Sequence, residues 1–150
     1  MSTFLCIDGL KLTQLKEIKD NRGSVLHMLR KDSKDFQGFG ECYFSEILPD
    51  TIKAWKCNTR LTQLIAVPRG KIKLVVFDDR STSQSKGELQ IIELGRPNSY
   101  MLVKIPPNLW YGFKCISQEP ALIANCIDEV YSPKNNLSKD INDATIPYSW

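Results

Sequence analysis

The stretch Lys71-Ile72-Lys73-Leu74-Val75-Val76-Phe77-Asp78 decides the fold class. Side chains of an extended chain alternate between faces, so Ile72, Leu74 and Val76 share one face and Lys71, Lys73, Val75 and Phe77 the other. Pro68-Arg69-Gly70 separates this strand from an apolar segment at 61–67, and the polar run 81–87 is the loop that follows it. Residues 88–94 then return as its hairpin partner. Outward from this hairpin the same pattern repeats. Residues 24–29 follow the turn chemistry of Asp20-Asn21-Arg22-Gly23. Residues 41–48 end at Pro49-Asp50, and 51–57 come next. Residues 100–105 stop at Pro106-Pro107-Asn108, and 109–116 and 121–131 are further strands. Only residues 10–19 have helical potential, and they lack a clean apolar stripe. Many short strands punctuated by Gly, Pro or Asn predict an all-β sandwich or barrel. Residues 132–150 are expected to form an irregular polar tail, with the rings of Ile146-Pro147-Tyr148-Ser149-Trp150 packed back onto the strands.

Composition narrows the function. At 150 residues the chain suits one domain spanning 1–150 with a real core. The net charge of +3 is mild and spread along the chain, which argues against nucleic acid and suits a small anionic ligand. No apolar run reaches the length of a membrane span, and the first residues do not read as a signal peptide. Five cysteines lie far apart with no C-x-x-C spacing. They read as reduced thiols of a cytoplasmic protein.

Several fragments together resemble the dTDP-4-dehydrorhamnose 3,5-epimerase family. Asp20-Asn21-Arg22-Gly23-Ser24 is similar to its early Arg-Gly turn. Thr51-Ile52-Lys53-Ala54-Trp55-Lys56 is similar to the segment that ends in its catalytic histidine. Pro68-Arg69-Gly70 with Val76-Phe77-Asp78-Asp79-Arg80 resembles its glycine turn and Asp-x-Arg strand end, and Ser81 and Ser83 fit the serine-rich loop behind it. Ile105-Pro106-Pro107 with Gly112-Phe113, then Val130-Tyr131-Ser132-Pro133 and the closing Ile146 to Trp150, complete the set. The resemblance implies a cupin-type jelly-roll β-barrel, homodimeric, with a dTDP-sugar in the barrel mouth and no cofactor. The strand-like segment from Thr3 to Cys6 would pair across such a dimer.

Epimerases of this kind move a proton on carbon next to a ketone, which calls for a base at the carbon, a donor at the oxygen and a second acid. The resemblance places Lys56 where the base is a histidine, Tyr111 at a second histidine, and Gln63 near the lysine that stabilises the enolate. Asn58 stands where relatives often continue with histidine, and Tyr131 where the acid is a tyrosine. Arg22 and Lys53 are the expected diphosphate contacts, and His27, the one histidine, lies where relatives face the nucleotide. One histidine cannot assemble a His-x-His metal set, so no metal is expected. Lysine in water is protonated at neutral pH, and burial favours its free amine. Lys56 is therefore a replacement base, a cation for a ligand phosphate, or a solvated strand lysine. Tyr111 and Tyr131 are each a proton donor or a packed core ring. Asp78 and Arg80 form an orienting or structural ion pair, and Cys57 is packing. Two functions stay open: proton transfer on a nucleotide-linked 4-keto sugar or similar enolisable substrate, and a non-catalytic binding or structural barrel.

Overall fold

The computed structural model describes residues 5–150. Its strands are β1 (Lys11–Gln14), β2 (Glu17–Asp20), β3 (Gly23–Leu26), β4 (Glu41–Ile47), β5 (Ile52–Asn58), β6 (Gln63–Arg69), β7 (Lys71–Phe77), β8 (Leu89–Gly95), β9 (Met101–Ile105), β10 (Trp110–Cys115), β11 (Ala121–Ile127) and β12 (Asn136–Ser138). Two five-stranded antiparallel sheets form, in the orders β1-β9-β6-β11-β4 and β12-β5-β10-β7-β8, with β2 and β3 as a separate hairpin. The all-β jelly-roll expectation therefore holds.

The alternation in β7 is realised as expected. Ile72, Leu74 and Val76 enter the core between the sheets. Val75 and Phe77 face the other way and pack with Trp55, Trp110 and Ile146. Gly70 makes the tight β6–β7 connection at φ +72°, and a Cβ there would meet the Ala121 Cα at 2.5 Å.

Two expectations need correction. Residues 10–19 hold no helix: Lys11–Gln14 and Glu17–Asp20 are strands. The missing apolar stripe is the reason, because nothing there repeats at helical spacing. The tail is also more ordered than expected. Asn136–Ser138 pairs with β5, and Lys139 exchanges backbone hydrogen bonds with Trp55 at 3.1 and 3.2 Å. Tyr148 then meets Trp55 edge to face and Trp150 packs tilted against it, with ring centroids 6.1 and 5.1 Å from it. Of the segment from Thr3 to Cys6, the first half lies outside the described residues, and Leu5 and Cys6 are in no strand.

One buried charge ties a strand end to its loop. Asp78 is fully buried. It accepts from the Arg80 guanidinium at 2.9 and 2.8 Å and from the Ser83 and Ser85 hydroxyls at 2.6 Å each. Arg80 also reaches the Asp8 carbonyl at 2.8 Å, which fastens the N-terminal segment. Burial alone would raise the Asp78 carboxyl, but the bonds from Arg80, Ser83 and Ser85 outweigh it and hold it well below the usual range. A depressed carboxyl stabilises the fold fully above its unfolded value, near ~3.9, and that contribution fades as pH falls further. Asp78→Asn should therefore cost about 3–5 kcal/mol at neutral pH, by leaving Arg80 uncompensated. It should also flatten the loss of stability below about pH 4. Urea unfolding of both proteins between neutral and acid pH measures this.

Candidate functional site

A cavity of about 150 Å³ opens between the sheets, lined by Tyr43 and Ser45 of β4, Lys53 and Lys56 of β5, Gln63 and Ile65 of β6, Tyr111 and Phe113 of β10, and Ile123 and Asn125 of β11. Lys53 and Lys56 are three positions apart, so a regular strand would send them to opposite faces. The pairing of β5 with β10 is irregular here: Phe113 opposes Lys53 and Tyr111 opposes Lys56, so Gly112 alone spans Ala54 and Trp55. This bulge turns both lysines inward. The missing side chain of Gly112 permits it, since a Cβ would sit 2.5 Å from the Ala54 Cβ and 2.8 Å from the Trp150 ring.

The polar groups are organised. Asn125 donates to the Tyr43 hydroxyl at 3.0 Å and to the Gln63 carbonyl oxygen at 2.9 Å. Its own Oδ1 is buried without a partner. Burial pushes the Tyr111 phenol up; Tyr43 adds to the rise and the Gln63 amide opposes it. Burial likewise raises Tyr43, against the hydrogen bond from Asn125. Both rings thus stay protonated at neutral pH and can donate. Lys53 donates to the Glu46 carbonyl at 2.6 Å and to Ser45 at 3.3 Å. Lys56 lines the cavity and is exposed as a residue, which places its side chain at the mouth.

Of the residues expected from sequence, Lys53, Lys56, Gln63 and Tyr111 come together in this cavity. Tyr131 does not line it; it is exposed beyond β11. Asn58 is buried in the β5–β6 turn, where its Oδ1 accepts the Arg60 and Leu61 amides at 3.0 Å each. Arg22 sits exposed on the β2–β3 hairpin, paired with Asp20 at 2.6 Å. His27 follows β3, and its carbonyl takes the Tyr100 hydroxyl at 2.9 Å on the outer side of the first sheet. Among the described residues no group of three or more His, Cys, Asp or Glu side chains could hold a metal ion, and no helix is long and apolar enough to cross a membrane. Cys57 packs with Trp55, and burial pushes its thiol up to about 11, as suits a packing residue. Tyr43, Ser45 and Asn125 were not singled out by sequence.

The barrel thus encloses an interior cavity walled by phenols, amides and lysines. The chain belongs to the dTDP-4-dehydrorhamnose 3,5-epimerase family, whose sequence model matches residues 5–150. Membership places it with the isomerases. It is similar to the dTDP sugar isomerase of Desulfovibrio desulfuricans G20, with 44% identity, a TM-score of 0.96, and coverage of 99% of this chain and 95% of that one. It is 30% identical over 146 residues, 96% of each chain, to the spore coat polysaccharide biosynthesis protein SpsL of Bacillus subtilis (strain 168). The fold also matches the dTDP-6-deoxy-D-glucose-3,5-epimerase of Legionella pneumophila Philadelphia 1, in complex with dTDP-4-keto-L-rhamnose. There the TM-score is 0.83 and identity 21%, with 96% of this chain and 79% of that one covered.

The bulge gives a direct test of how the lysines are positioned. Gly112→Ala should push Ala54 and Trp150 away and lower stability by about 1–3 kcal/mol. Urea unfolding of both proteins measures this loss.

Proposed function

We propose that the barrel transfers protons on a nucleotide-linked 4-keto sugar, or another enolisable substrate, with acid and base groups other than histidine. The observation that supports this best is the make-up of the cavity wall: two lysines, two protonated phenols and two amides, with no carboxylate or imidazole among the lining residues. A cavity of that charge favours an anion that forms during the reaction, as an enolate does next to a ketone. Lys56, at the mouth, takes the proton from carbon as its free amine, and Tyr111 returns one from the neighbouring strand β10. Lys53 contributes positive charge for the enolate oxygen or the diphosphate. The Asn125 oxygen, buried and unpaired, accepts from a sugar hydroxyl. These side chains supply every proton-transfer group, so the proposal includes no metal or cofactor. The dTDP-4-keto-L-rhamnose held by the Legionella enzyme guides the choice of substrate class.

A second copy of the chain completes the proposal. Ile18 and Val25 oppose each other across the β2–β3 hairpin and are 46% and 60% exposed. A two-stranded ribbon is marginal alone, so its apolar side suits a partner subunit. Arg22 and His27, remote from the cavity of their own chain, would then act at or near the partner's site. The one specific observation favouring a binding barrel without catalysis is that His27, the sole imidazole, does not line the cavity.

Incubation with dTDP-4-keto-6-deoxyglucose in deuterated water separates the two. We expect label at C3 or C5, and a loss of roughly 10²–10⁴-fold in exchange for Lys56→Ala, the usual worth of a positioned base. Binding without label would replace the catalytic reading by the binding one. Light scattering on the same sample should give twice the chain mass of 17.1 kDa; a single-chain mass would remove the dimer.

A further inference from the structure

Directly behind the cavity wall, on the outer face of the first sheet, β4 and β11 bring two thiols together. Cys42 and Cys126 are direct partners in the antiparallel register. Their sulfurs stand 3.3 Å apart. Alternation fixes their direction: Tyr43 and Asn125, the adjacent residues, line the cavity, so both cysteines face outward. Directly opposed residues of an antiparallel pair have Cα atoms about 4.5–5.5 Å apart. That lies within the roughly 4.4–6.8 Å a disulfide spans. The sulfurs need only close from 3.3 Å to about 2.05 Å, with the strand register unchanged.

The two thiols are unequal in a useful way. Cys42 is exposed, whereas Cys126 is half-buried beside the apolar cluster of Leu64, Ala66, Tyr100 and Leu102. Burial and then the hydrogen bond with Cys42 push the Cys126 thiol up to about 12. Cys42 is thus the group an oxidant meets, and Cys126 the one placed to resolve the product.

We propose that Cys42 and Cys126 form a covalent redox site that takes a hydroperoxide as oxidant and closes reversibly to a disulfide across β4 and β11. The Cys42 thiolate attacks one oxygen of the peroxide. The O–O bond breaks, hydroxide leaves, and Cys42 becomes a sulfenic acid. The Cys126 sulfur, giving up its proton, then attacks the Cys42 sulfur. The S–O bond breaks, and the departing hydroxide takes that proton as water. In sum, two thiols and one hydrogen peroxide yield one disulfide and two waters; the thiols lose two electrons and the peroxide gains them. A dithiol reductant reverses the change. The site is independent of the substrate proposed for the cavity.

The experiment is oxidation of the folded, fully reduced chain with hydrogen peroxide, then alkylation, intact mass and peptide mapping. We expect a monomer lighter by two hydrogens, a single Cys42–Cys126 linked peptide, and three of the five cysteines still open to alkylation after unfolding. Dithiothreitol should restore all five. Cys126→Ser should hold the Cys42 sulfenic acid long enough for dimedone to trap it, and Cys42→Ser should give no trapped product. Retention of five alkylatable thiols, a bridge between other cysteines, or dimers crosslinked through Cys42 would each overturn the assignment. The wild-type mass map decides between these outcomes even where a serine variant fails to fold.

Discussion

The site rests on one local irregularity, the extra residue that β5 carries opposite Gly112. A regular strand would turn one of Lys53 and Lys56 out into solvent. The bulge puts both on the cavity side and leaves Ala54 and Trp55 to the outer layer. Packing on that outer layer keeps it in place. Trp55 is 1% exposed and is covered by Tyr148 and Trp150 from the chain end, with Lys73 over both of those rings at 5.5 and 5.8 Å. The Trp55 indole also donates to the Ile141 carbonyl at 3.3 Å. Aromatic pairs of this geometry contribute about 0.5–1.5 kcal/mol each beyond their buried area. The closing residues of the chain thus bear on the direction of two lysines one layer away.

The inner wall balances polar and apolar demands. Ile65, Phe113 and Ile123 supply its apolar part, while Asn125 joins Tyr43 and Gln63 in a hydrogen-bonded frame. Buried amides are tolerated when their groups are paired. Among the described residues that line the cavity, the Asn125 Oδ1 is the buried oxygen without a partner. Such a group costs about 1–3 kcal/mol unless a partner arrives. The lysines avoid the comparable cost of a buried charge because both are exposed as residues, and Lys53 donates to the Glu46 carbonyl and the Ser45 hydroxyl.

Much of the fold was legible in the sequence because period-two alternation is strong where one face is buried, as in β7. It failed where burial was weak. The strands at Lys11–Gln14 and Glu17–Asp20 are mostly exposed, and Asn136–Ser138 is too short to show a period. The site was legible in part. Lys56, Gln63 and Tyr111 followed from the family resemblance, since motif position survives substitution. Tyr43 was missed because Glu41, Tyr43 and Ser45 alternate with Cys42, Phe44 and Glu46, and the second set looks at least as apolar. Phe44 is in fact 67% exposed. Asn125 had a usable signal, a lone amide on the inward face of Ala121, Ile123 and Ile127. Asn58 was drawn to the site by motif position, but local turn chemistry claims its side chain. Arg22 and His27 were named by motif position, but neither lines the cavity of this chain.

The most direct measurement is a crystal structure with a dTDP-linked sugar bound. The account predicts the sugar in the cavity against Lys56 and Tyr111, with the Lys56 nitrogen about 3–3.5 Å from the carbon that exchanges its proton. A sugar seated elsewhere, or a Lys56 side chain turned away from that carbon toward the diphosphate, would contradict it.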